Sequence, residues 1–197
     1  MSNKKLKIFL LAIFSVVLVI ICISFFTSNN NETLNLSKNI NKFKLITHSN
    51  EKFDDKFFSN YPSLIFFGFL NCPDVCPFTL TKISEIIEKL KDKSELMRFY
   101  FVTVDPERDK IEDLKEYLNA FHPKIIGVTG SNIDIENFLK YMYVYKKKIQ
   151  LDNNNYTIDH SSQIFLFNKN GSFFGTLSTN EEENNILSKI SKILNGA

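Results

Sequence analysis

The chain has 197 residues, of which 44% are hydrophobic, and this suits one folded domain with a sizeable core plus an extension. Its 24 Lys and Arg residues nearly balance its 22 Asp and Glu residues, so that the net charge is only +2. Such a balance excludes the strongly basic surface that is typical of nucleic-acid-binding proteins. Three cysteines occur, and Cys22 falls in an apolar N-terminal segment, which leaves Cys72 and Cys76 as a natural pair.

The first predicted element is a membrane anchor. Ile8–Phe26 carries no charge and is long enough, at about 1.5 Å per residue, to span the ~30 Å hydrocarbon layer of a bilayer. Lys4, Lys5 and Lys7 precede it, and by the positive-inside rule they keep the N-terminus cytoplasmic. We therefore expect residues 1–27 to form a single-pass transmembrane helix in a bacterial inner membrane, with the rest of the chain in the periplasm.

Three alternatives for this segment fit its residues less well. A cleaved signal peptide needs a small-x-small site, and Phe25-Phe26-Thr27 fits that pattern poorly. A lipoprotein would need a small residue before Cys22, where Ile21 stands. Mitochondrial import would call for an Arg-rich amphipathic presequence, which the sequence lacks. The segment is therefore predicted to be an uncleaved signal anchor.

The chain after the anchor begins with a polar connection. Residues 28–41 are rich in Asn, Ser and Thr and are predicted to be a flexible tether, so that the folded domain would occupy residues 42–197. A first strand is predicted at Phe43–Thr47. The short apolar run Leu64–Phe69 is typical of a buried strand, and Phe78–Leu90 has the apolar spacing of a helix.

Strands and helices alternate through the rest of the chain. Further strands are predicted at Arg98–Val104, Lys124–Val128, Val144–Ile149, Gln163–Phe167 and Ser172–Leu177, and further helices at Ile111–Phe121, Ser131–Tyr143 and from Glu181 onward. Asn170-Gly171 between the last two strands is a hairpin turn signal. This alternation, followed by a hairpin and a terminal helix, predicts one α/β domain.

The two cysteines lie in the turn between the buried strand and its helix, within Cys72-Pro73-Asp74-Val75-Cys76-Pro77. Pro77 suits the first helical turn, where its missing N–H costs nothing. Free N–H groups and the positive end of the helix dipole favour thiolate there. A structural disulfide is also possible, since residues one turn apart have Cα atoms about 6 Å apart. Because so short a loop removes little chain entropy, such a bridge would stabilise weakly, and a functional pair is favoured.

Two further groups of residues are candidates for chemistry. His160 lies beside Asp159 at the predicted start of a strand, and the charged loop Asp105–Asp109 follows a buried strand, where open α/β sheets place functional residues. Two thiolates and one imidazole would suit Cu(I), which favours sulfur, or Zn(II), which prefers a fourth ligand. Short cysteine pairs also serve thiol exchange, so the residues alone leave metal binding and redox chemistry open.

Four motifs together resemble those of the Sco/SenC family of copper-binding, thioredoxin-like proteins. They occur in that family's order and spacing, over Phe43 to the last helix: Phe67-Gly68-Phe69 with Cys72–Pro77, Val104–Asp109, Ile126–Gly130 and Asp159-His160-Ser161. The chain departs from the family at Ser49-Asn50, where glycine is common, and at Pro77-Phe78-Thr79, where an acidic residue is frequent. Neither departure touches a ligand position.

The resemblance implies a thioredoxin-like fold, with a central mixed sheet flanked by helices. It implies that Cys72, Cys76 and His160 bind copper, as Cu(I) or Cu(II), and Asp159 is expected to support His160 from outside the coordination sphere. It further implies a copper chaperone that helps to assemble the binuclear copper centre of cytochrome c oxidase. The expected partner is then the copper-acceptor subunit of that enzyme.

The same redox-active, disulfide-capable cysteines would also serve an enzyme, a thiol-disulfide oxidoreductase that reduces the cysteines of the copper acceptor. His160 separates the two functions, because a dithiol reductase does not need it and a copper site does. A peroxiredoxin-type peroxidase is disfavoured, since no Thr stands three residues before either cysteine. A membrane-tethered binding module with an inert disulfide is the least favoured alternative. The loop around Asp105–Asp109 is interpreted as structural, with Asp and Arg paired at the strand end.

Overall fold

The computed structural model describes residues 3–28, 34–152 and 155–196. The chain forms two compact units that divide after Thr33. The first unit contains one helix, α1 (Asn3–Ser28), which covers the whole of the predicted apolar run. Across the described ranges, no helix reaches the combination of length and hydropathy that a membrane-spanning segment needs.

The structure differs from the flexible tether that was predicted for residues 28–41. Residues 29–33 lie outside the described part of the chain, but a short helix, α2 (Leu36–Asn39), follows them. The side chain of Asn35 caps this helix by accepting a backbone hydrogen bond at 3.1 Å. Leu36 is fully buried in the core of the second unit. The Asn-rich composition that indicated flexibility therefore supplies a helix cap, and the folded domain begins earlier than predicted.

A mixed sheet forms the centre of the second unit, as predicted. Its six strands are β1 (Leu45–Thr47), β2 (Ser63–Gly68), β3 (Arg98–Thr103), β4 (Ile125–Gly130), β7 (Ile164–Phe167) and β8 (Phe173–Leu177). They lie in the order β1-β4-β3-β2-β7-β8, in which β2, β3 and β4 are parallel and the others antiparallel to their neighbours. A separate two-stranded sheet pairs β5 (Lys146–Gln150) with β6 (Tyr156–His160).

Four longer helices connect and follow these strands: α3 (Val75–Leu90), α4 (Ile111–Asn119), α5 (Asn132–Tyr141) and α6 (Glu183–Leu194). Each buries apolar residues at helical spacing, such as Ile83, Ile86 and Ile87 of α3. Strand β2 is buried along its whole length, as a parallel strand covered on both faces must be. The arrangement of a mixed sheet flanked by helices confirms the predicted fold class for this unit.

The topology brings three chain segments to one edge of the sheet. Gly68 pairs with Thr103 where β2 and β3 end, so the cysteine turn and the loop Asp105–Asp109 leave the sheet side by side. Strand β7 is antiparallel to β2, with Ile164 opposite Phe66, so the chain enters β7 from the same edge. The segment that carries His160 immediately precedes that entry. The sheet therefore gathers all three candidate groups.

Two local predictions were wrong in their boundaries. Helix α3 begins at Val75, three residues before the apolar pattern at Phe78, although Pro77 falls within its first turn as predicted. Cys76 consequently lies inside the helix. His160 ends strand β6 instead of standing at the start of the next strand, which begins at Ile164.

Candidate metal and thiol site

The two cysteines lie in, and directly before, the first turn of α3. Asp74 is the residue before the helix and Cys76 is its second residue. The backbone N–H of Cys76 donates a hydrogen bond to the Sγ atom of Cys72 at 3.4 Å. The start of a helix leaves such donors without an intrahelical partner, so the fold directs one of them at a sulfur. Both cysteines are free thiols, Cys76 fully buried and Cys72 half-buried.

The environments of the two thiols move their pKa values in opposite directions. A hydrogen bond from the Cys76 side chain, with smaller contributions from His160 and from backbone N–H groups, outweighs burial and lowers the pKa of Cys72 to about 4. The hydrogen bond to Cys72, followed by burial, raises the pKa of Cys76. At neutral pH, Cys72 is therefore a thiolate and Cys76 a thiol. A half-exposed thiolate of low pKa is both a metal ligand and a nucleophile.

His160 brings an imidazole to the cysteine turn. Its Nε2 atom lies 3.7 Å from the Sγ atom of Cys76, and its Nδ1 atom lies 2.9 Å from the carbonyl oxygen of Ser161. Since a carbonyl oxygen can only accept, Nδ1 donates its hydrogen to Ser161, and Nε2 is the ring nitrogen that faces the sulfur. Metal-ligating histidines are held in the same way, through a hydrogen bond on the other ring nitrogen. The ring of Phe69 packs edge-on against the imidazole, at 5.7 Å between centroids.

Asp159 was expected to support His160, but the hydrogen bond that orients the imidazole comes from another residue. The imidazole of His160 is oriented by the carbonyl of Ser161 rather than by the carboxylate of Asp159. Successive side chains of a strand point to opposite faces, so Asp159 and His160 leave β6 on different sides, and Asp159 is exposed. Any influence of Asp159 on the site would therefore come from its charge.

Gly68, at the end of β2, allows the sulfur of Cys76 to approach the sheet. A Cβ atom at this position would lie 2.9 Å from the Sγ atom of Cys76 and 2.7 Å from the ring of Phe101. Neither neighbour has free space to move into, because both are fully buried. The absence of a side chain at Gly68 is thus part of the site, and the sequence alone did not reveal it.

The charged loop after β3 contains the predicted Asp–Arg pair, in which Arg108 Nε donates to Asp105 Oδ2 at 2.5 Å.

Asp109 is 2% exposed, and it accepts hydrogen bonds from the Thr103 hydroxyl at 2.6 Å and the Leu70 N–H at 3.2 Å. Burial raises the pKa of Asp109 to about 6. Leu70 belongs to the cysteine turn, so this loop is attached to the site. The sequence did not predict this hydrogen bond between the loop and the cysteine turn. It did indicate the loop as a candidate, because charged residues directly follow a buried strand.

The donor set suits a soft metal ion. Within the described ranges, no group of three or more His, Cys, Asp or Glu side chains has the spacing of a metal site as it stands. Cys76 and His160 are nevertheless as far apart as two ligands of one ion, when its bonds to sulfur and nitrogen are about 2.3 and 2.0 Å. Two sulfurs and an imidazole are ligands that Cu(I), Cu(II) and Zn(II) accept and that Mg²⁺ and Ca²⁺ do not favour.

The other two histidines have structural partners. His48 is half-buried, and its Nδ1 atom accepts the N–H of Gly127 at 3.1 Å. Burial lowers the pKa of His48. The Nε2 atom of His122 lies 3.2 Å from the carboxylate of Glu88, and its Nδ1 atom accepts the N–H of Lys124 at 3.1 Å. His122 thus contacts Glu88 and Lys124 rather than the cysteines.

Comparison with known proteins gives the family. The profile of the SCO1/SenC family matches residues 31–195. The SCO2-like protein of Rickettsia prowazekii is 42% identical over 133 residues, which make up 66% of this chain and 65% of that protein. The chain therefore matches slightly less than two thirds of the length of this relative.

Solved structures agree with this result. ScoI of Bradyrhizobium japonicum with copper bound is 31% identical, with a TM-score of 0.72, over 77% of this chain and 96% of that one. Yeast Sco1 with copper bound is 34% identical, with a TM-score of 0.71, over 79% of this chain and 87% of that one. The family profile covers most of the chain, and a relative well above 30% identity supports it. This chain is a member of the SCO1/SenC family.

Proposed function

We propose that the protein binds copper through Cys72, Cys76 and His160 and delivers it during assembly of the binuclear copper centre of cytochrome c oxidase. The observation that carries the proposal is the meeting of three ligand groups: a thiolate at Cys72, a thiol at Cys76 and the Nε2 atom of His160. Copper is the cargo in this account. Two relatives of the same fold were solved with copper bound, which supports the choice of metal.

The three donors differ in what they need before they bind an ion. Cys72 is already a thiolate, and the imidazole of His160 already has its Nε2 atom facing the sulfur of Cys76. Cys76 must lose a proton, because the thiolate is the ligand form of cysteine, so binding is expected to release a proton. Sulfur favours Cu(I), whereas imidazole is a borderline ligand that also suits Cu(II). Two sulfurs and one imidazole therefore suit an ion that changes its oxidation state.

The surface beside the site suits transfer to another protein. Cys72 is half-buried rather than enclosed, so a partner thiol or imidazole has access to it. Val75 and Phe78, in the first turn of α3, are 43% and 56% exposed. Exposed apolar side chains next to a reactive group are typical of protein contact surfaces. We infer that the copper-acceptor subunit of cytochrome c oxidase is the partner that docks here.

We further propose that α1 anchors the protein in a bacterial inner membrane. The support is its uncharged stretch Ile8–Phe26, preceded by Lys4, Lys5 and Lys7 on the side that would remain cytoplasmic. The second unit would then lie in the periplasm, where cysteine pairs are exposed to oxidants. Anchoring would keep the copper donor close to a membrane-bound acceptor.

A thiol-disulfide oxidoreductase is the second candidate, and the opposed pKa shifts of the two cysteines favour it. The thiolate of Cys72 would attack a disulfide of the acceptor and form a mixed disulfide while one acceptor sulfur leaves as a thiolate. Cys76 would then lose its proton and attack Cys72. This second step closes the Cys72–Cys76 disulfide and releases the acceptor as a dithiol. The imidazole of His160 has no required part in these steps.

The test compares His160→Ala with the parent chain in direct Cu(I) and Cu(II) titrations. We expect Cu(II) affinity to fall by at least about 10-fold, because even groups outside a coordination sphere change affinity by 10–100-fold. Cu(I) affinity should fall less, since both sulfurs remain. His122→Ala is the matched control, because that imidazole contacts Glu88 and should not affect copper.

Asp159→Asn, which removes a nearby charge, should give affinities between those of the parent and His160→Ala. Equal affinity of His160→Ala and the parent for both oxidation states would contradict the three-ligand site. The protein would then be better described as a dithiol oxidoreductase.

A further inference from the structure

The strand that carries His160 is not part of the central sheet. Strand β6 pairs with β5 alone among the described strands, in a two-stranded sheet. The position of the imidazole relative to the cysteines therefore depends on the three-residue link from His160 to β7 and on side-chain contacts between this small sheet and the body of the domain. The backbone hydrogen bonds that hold β2 and β3 in the central sheet do not extend to β6.

One set of such contacts lies at the opposite end of β6 from His160. The guanidinium of Arg108 lies over the ring of Tyr156, 3.7 Å from its centroid, and its Nη1 atom donates to the carbonyl oxygen of Tyr156 at 2.9 Å. The Nε atom of Arg108 donates to Asp105 Oδ2 at 2.5 Å, and the hydroxyl of Tyr156 donates to Asp105 Oδ1 at 2.9 Å. Asp105 is 3% exposed. Asp105, Arg108 and Tyr156 therefore form a closed cluster, the Arg108 clamp.

The loop that supplies this clamp also binds the cysteine turn. Asp109 accepts the N–H of Leu70, two residues before Cys72, and the hydroxyl of Thr103 at the end of β3. A single loop of five residues thus contacts the cysteine half of the site through Asp109 and the histidine half through Arg108. This loop therefore connects the two halves of the site.

We propose that Asp105, Arg108 and Tyr156 are positioning residues that hold strand β6 so that the Nε2 atom of His160 faces the sulfur of Cys76. At about 3.3 Å per residue, the four steps from Tyr156 to His160 make a lever of roughly 13 Å, so a small rotation at the clamp displaces the imidazole. The inference rests on the proposed function, in which His160 is a copper ligand. Arg108 suits the task because its planar guanidinium can stack and donate at the same time.

A neighbouring lysine provides a matched comparison. Lys148 also contacts the Tyr156 ring, with its Nζ atom 3.7 Å from the centroid, and pairs with Glu107 at 2.9 Å. Its side chain is 47% exposed and that of Glu107 is 52% exposed, so solvent screens the pair. Lys148 lies within the small sheet itself, and its side chain donates to Glu107, whereas that of Arg108 donates to the β6 backbone. Its replacement removes one positive charge, as replacement of Arg108 does, without opening the clamp.

The experiment measures Cu(II) affinity and amide hydrogen exchange for Arg108→Gln and Lys148→Gln in the full chain. We expect Arg108→Gln to lower Cu(II) affinity by about 10-fold, the size of effect that supporting groups have on metal sites. In the metal-free protein, the amides of Thr157 and Asp159, which face β5 in the hydrogen-bonded pairs of the small sheet, should exchange faster in Arg108→Gln. Lys148→Gln should change affinity by less than about 2-fold and leave exchange unchanged.

A double-mutant cycle separates positioning from general destabilisation. In the His160→Ala background, Arg108→Gln should cause no further loss of Cu(II) affinity, because the clamp acts through the imidazole. An equal loss in both backgrounds would overturn the inference. If Arg108→Gln does not fold, Tyr156→Phe removes only the hydroxyl that binds Asp105, and it should show the same cycle with a smaller effect.

Failure of the clamp and failure of the proposed function give different results. If His160→Ala weakens Cu(II) and Arg108→Gln does not, the three-ligand site stands and the positioning role is wrong. If His160→Ala leaves copper binding unchanged, the proposed ligand set is wrong. The exchange rates of the metal-free protein still report whether Arg108 holds β6, and rates equal to those of the parent would reject the clamp.

Discussion

Oxidation of the cysteine pair is expected to remove Cu(I) binding almost completely, and reduction is expected to restore it. The proposed copper site requires the sulfur of Cys72 and the sulfur of Cys76 as thiolates. The Sγ atom of Cys72 already accepts the backbone N–H of Cys76 at 3.4 Å, so a disulfide can form with little movement of the helix start. Diamide removes two electrons and two protons from the pair, after which neither sulfur is a strong ligand.

The measurement is Cu(I) bound per chain before oxidation, after oxidation and after re-reduction with a phosphine. Cys22→Ser serves as the parent, so that the third thiol of the chain cannot contribute. Cys72→Ser in that background is the control, since it cannot form the disulfide and its residual binding should not respond to diamide. Equal binding by oxidised and reduced parent protein would show that the cysteines are not the ligands.

Replacement of Gly68 by Ala is expected to disturb both stability and copper binding. The new methyl group would overlap the Sγ atom of Cys76 and the ring of Phe101, both of them in the core. Overpacking of this kind costs about 1–3 kcal/mol of unfolding free energy. In a chain of this size, that loss corresponds to a decrease in Tm of about 2–12 °C. Relief of the overlap would push Cys76 away from His160, so affinity for Cu(I) and Cu(II) should fall together.

Gly175→Ala is the matched control for this change. Gly175 lies in strand β8, and a Cβ atom there would meet nothing within 4 Å. Its replacement should leave copper affinity unchanged and stability equal or slightly higher, because alanine restricts the unfolded chain. Thermal unfolding and copper titration of the two variants side by side distinguish a close approach from a general effect of strand glycines. If both variants had the same unfolding temperature and the same copper affinity, the close approach of Cys76 and Phe101 to Gly68 would not matter for either property.

The fold was predictable where the sequence has local signals. Continuous apolar runs identify β2 and β3, because strands buried on both faces need no polar alternation. Ser131 and Asp134 were predicted to open α5, and the Ser131 side chain does accept the N–H of Asp134. The cysteine turn followed from the change of hydrophobic period across it. In each case, residues adjacent in sequence carry the information.

Features that depend on contacts between distant segments were not predictable. Nothing near His160 in the sequence shows that β6 lies outside the main sheet, or that Arg108 holds its other end. The orienting role expected of Asp159 is taken by the carbonyl of Ser161, because alternation along the strand turns the carboxylate away. Helix α2 was missed because its stabilisation comes from burial of Leu36 in a core formed by later parts of the chain.

The residue types of the candidate site were predictable from the sequence, but the groups that position those residues were not. Cys72, Cys76 and His160 could be named from their chemistry and from the four motifs, and the structure brings them together. Gly68 could not be recognised as a spacer, since a glycine in a strand has several uses. The physical reason is general: ligands are few and chemically distinctive, whereas the groups that position them are ordinary residues.

X-ray absorption at the copper K-edge tests the proposed ligand set most directly. Fully reduced protein loaded with one equivalent of Cu(I) should show two sulfur scatterers and one nitrogen or oxygen scatterer with the outer-shell pattern of an imidazole. The imidazole pattern should disappear in His160→Ala and persist in His122→Ala. A spectrum with sulfur alone, or one unchanged by loss of His160, would contradict the account.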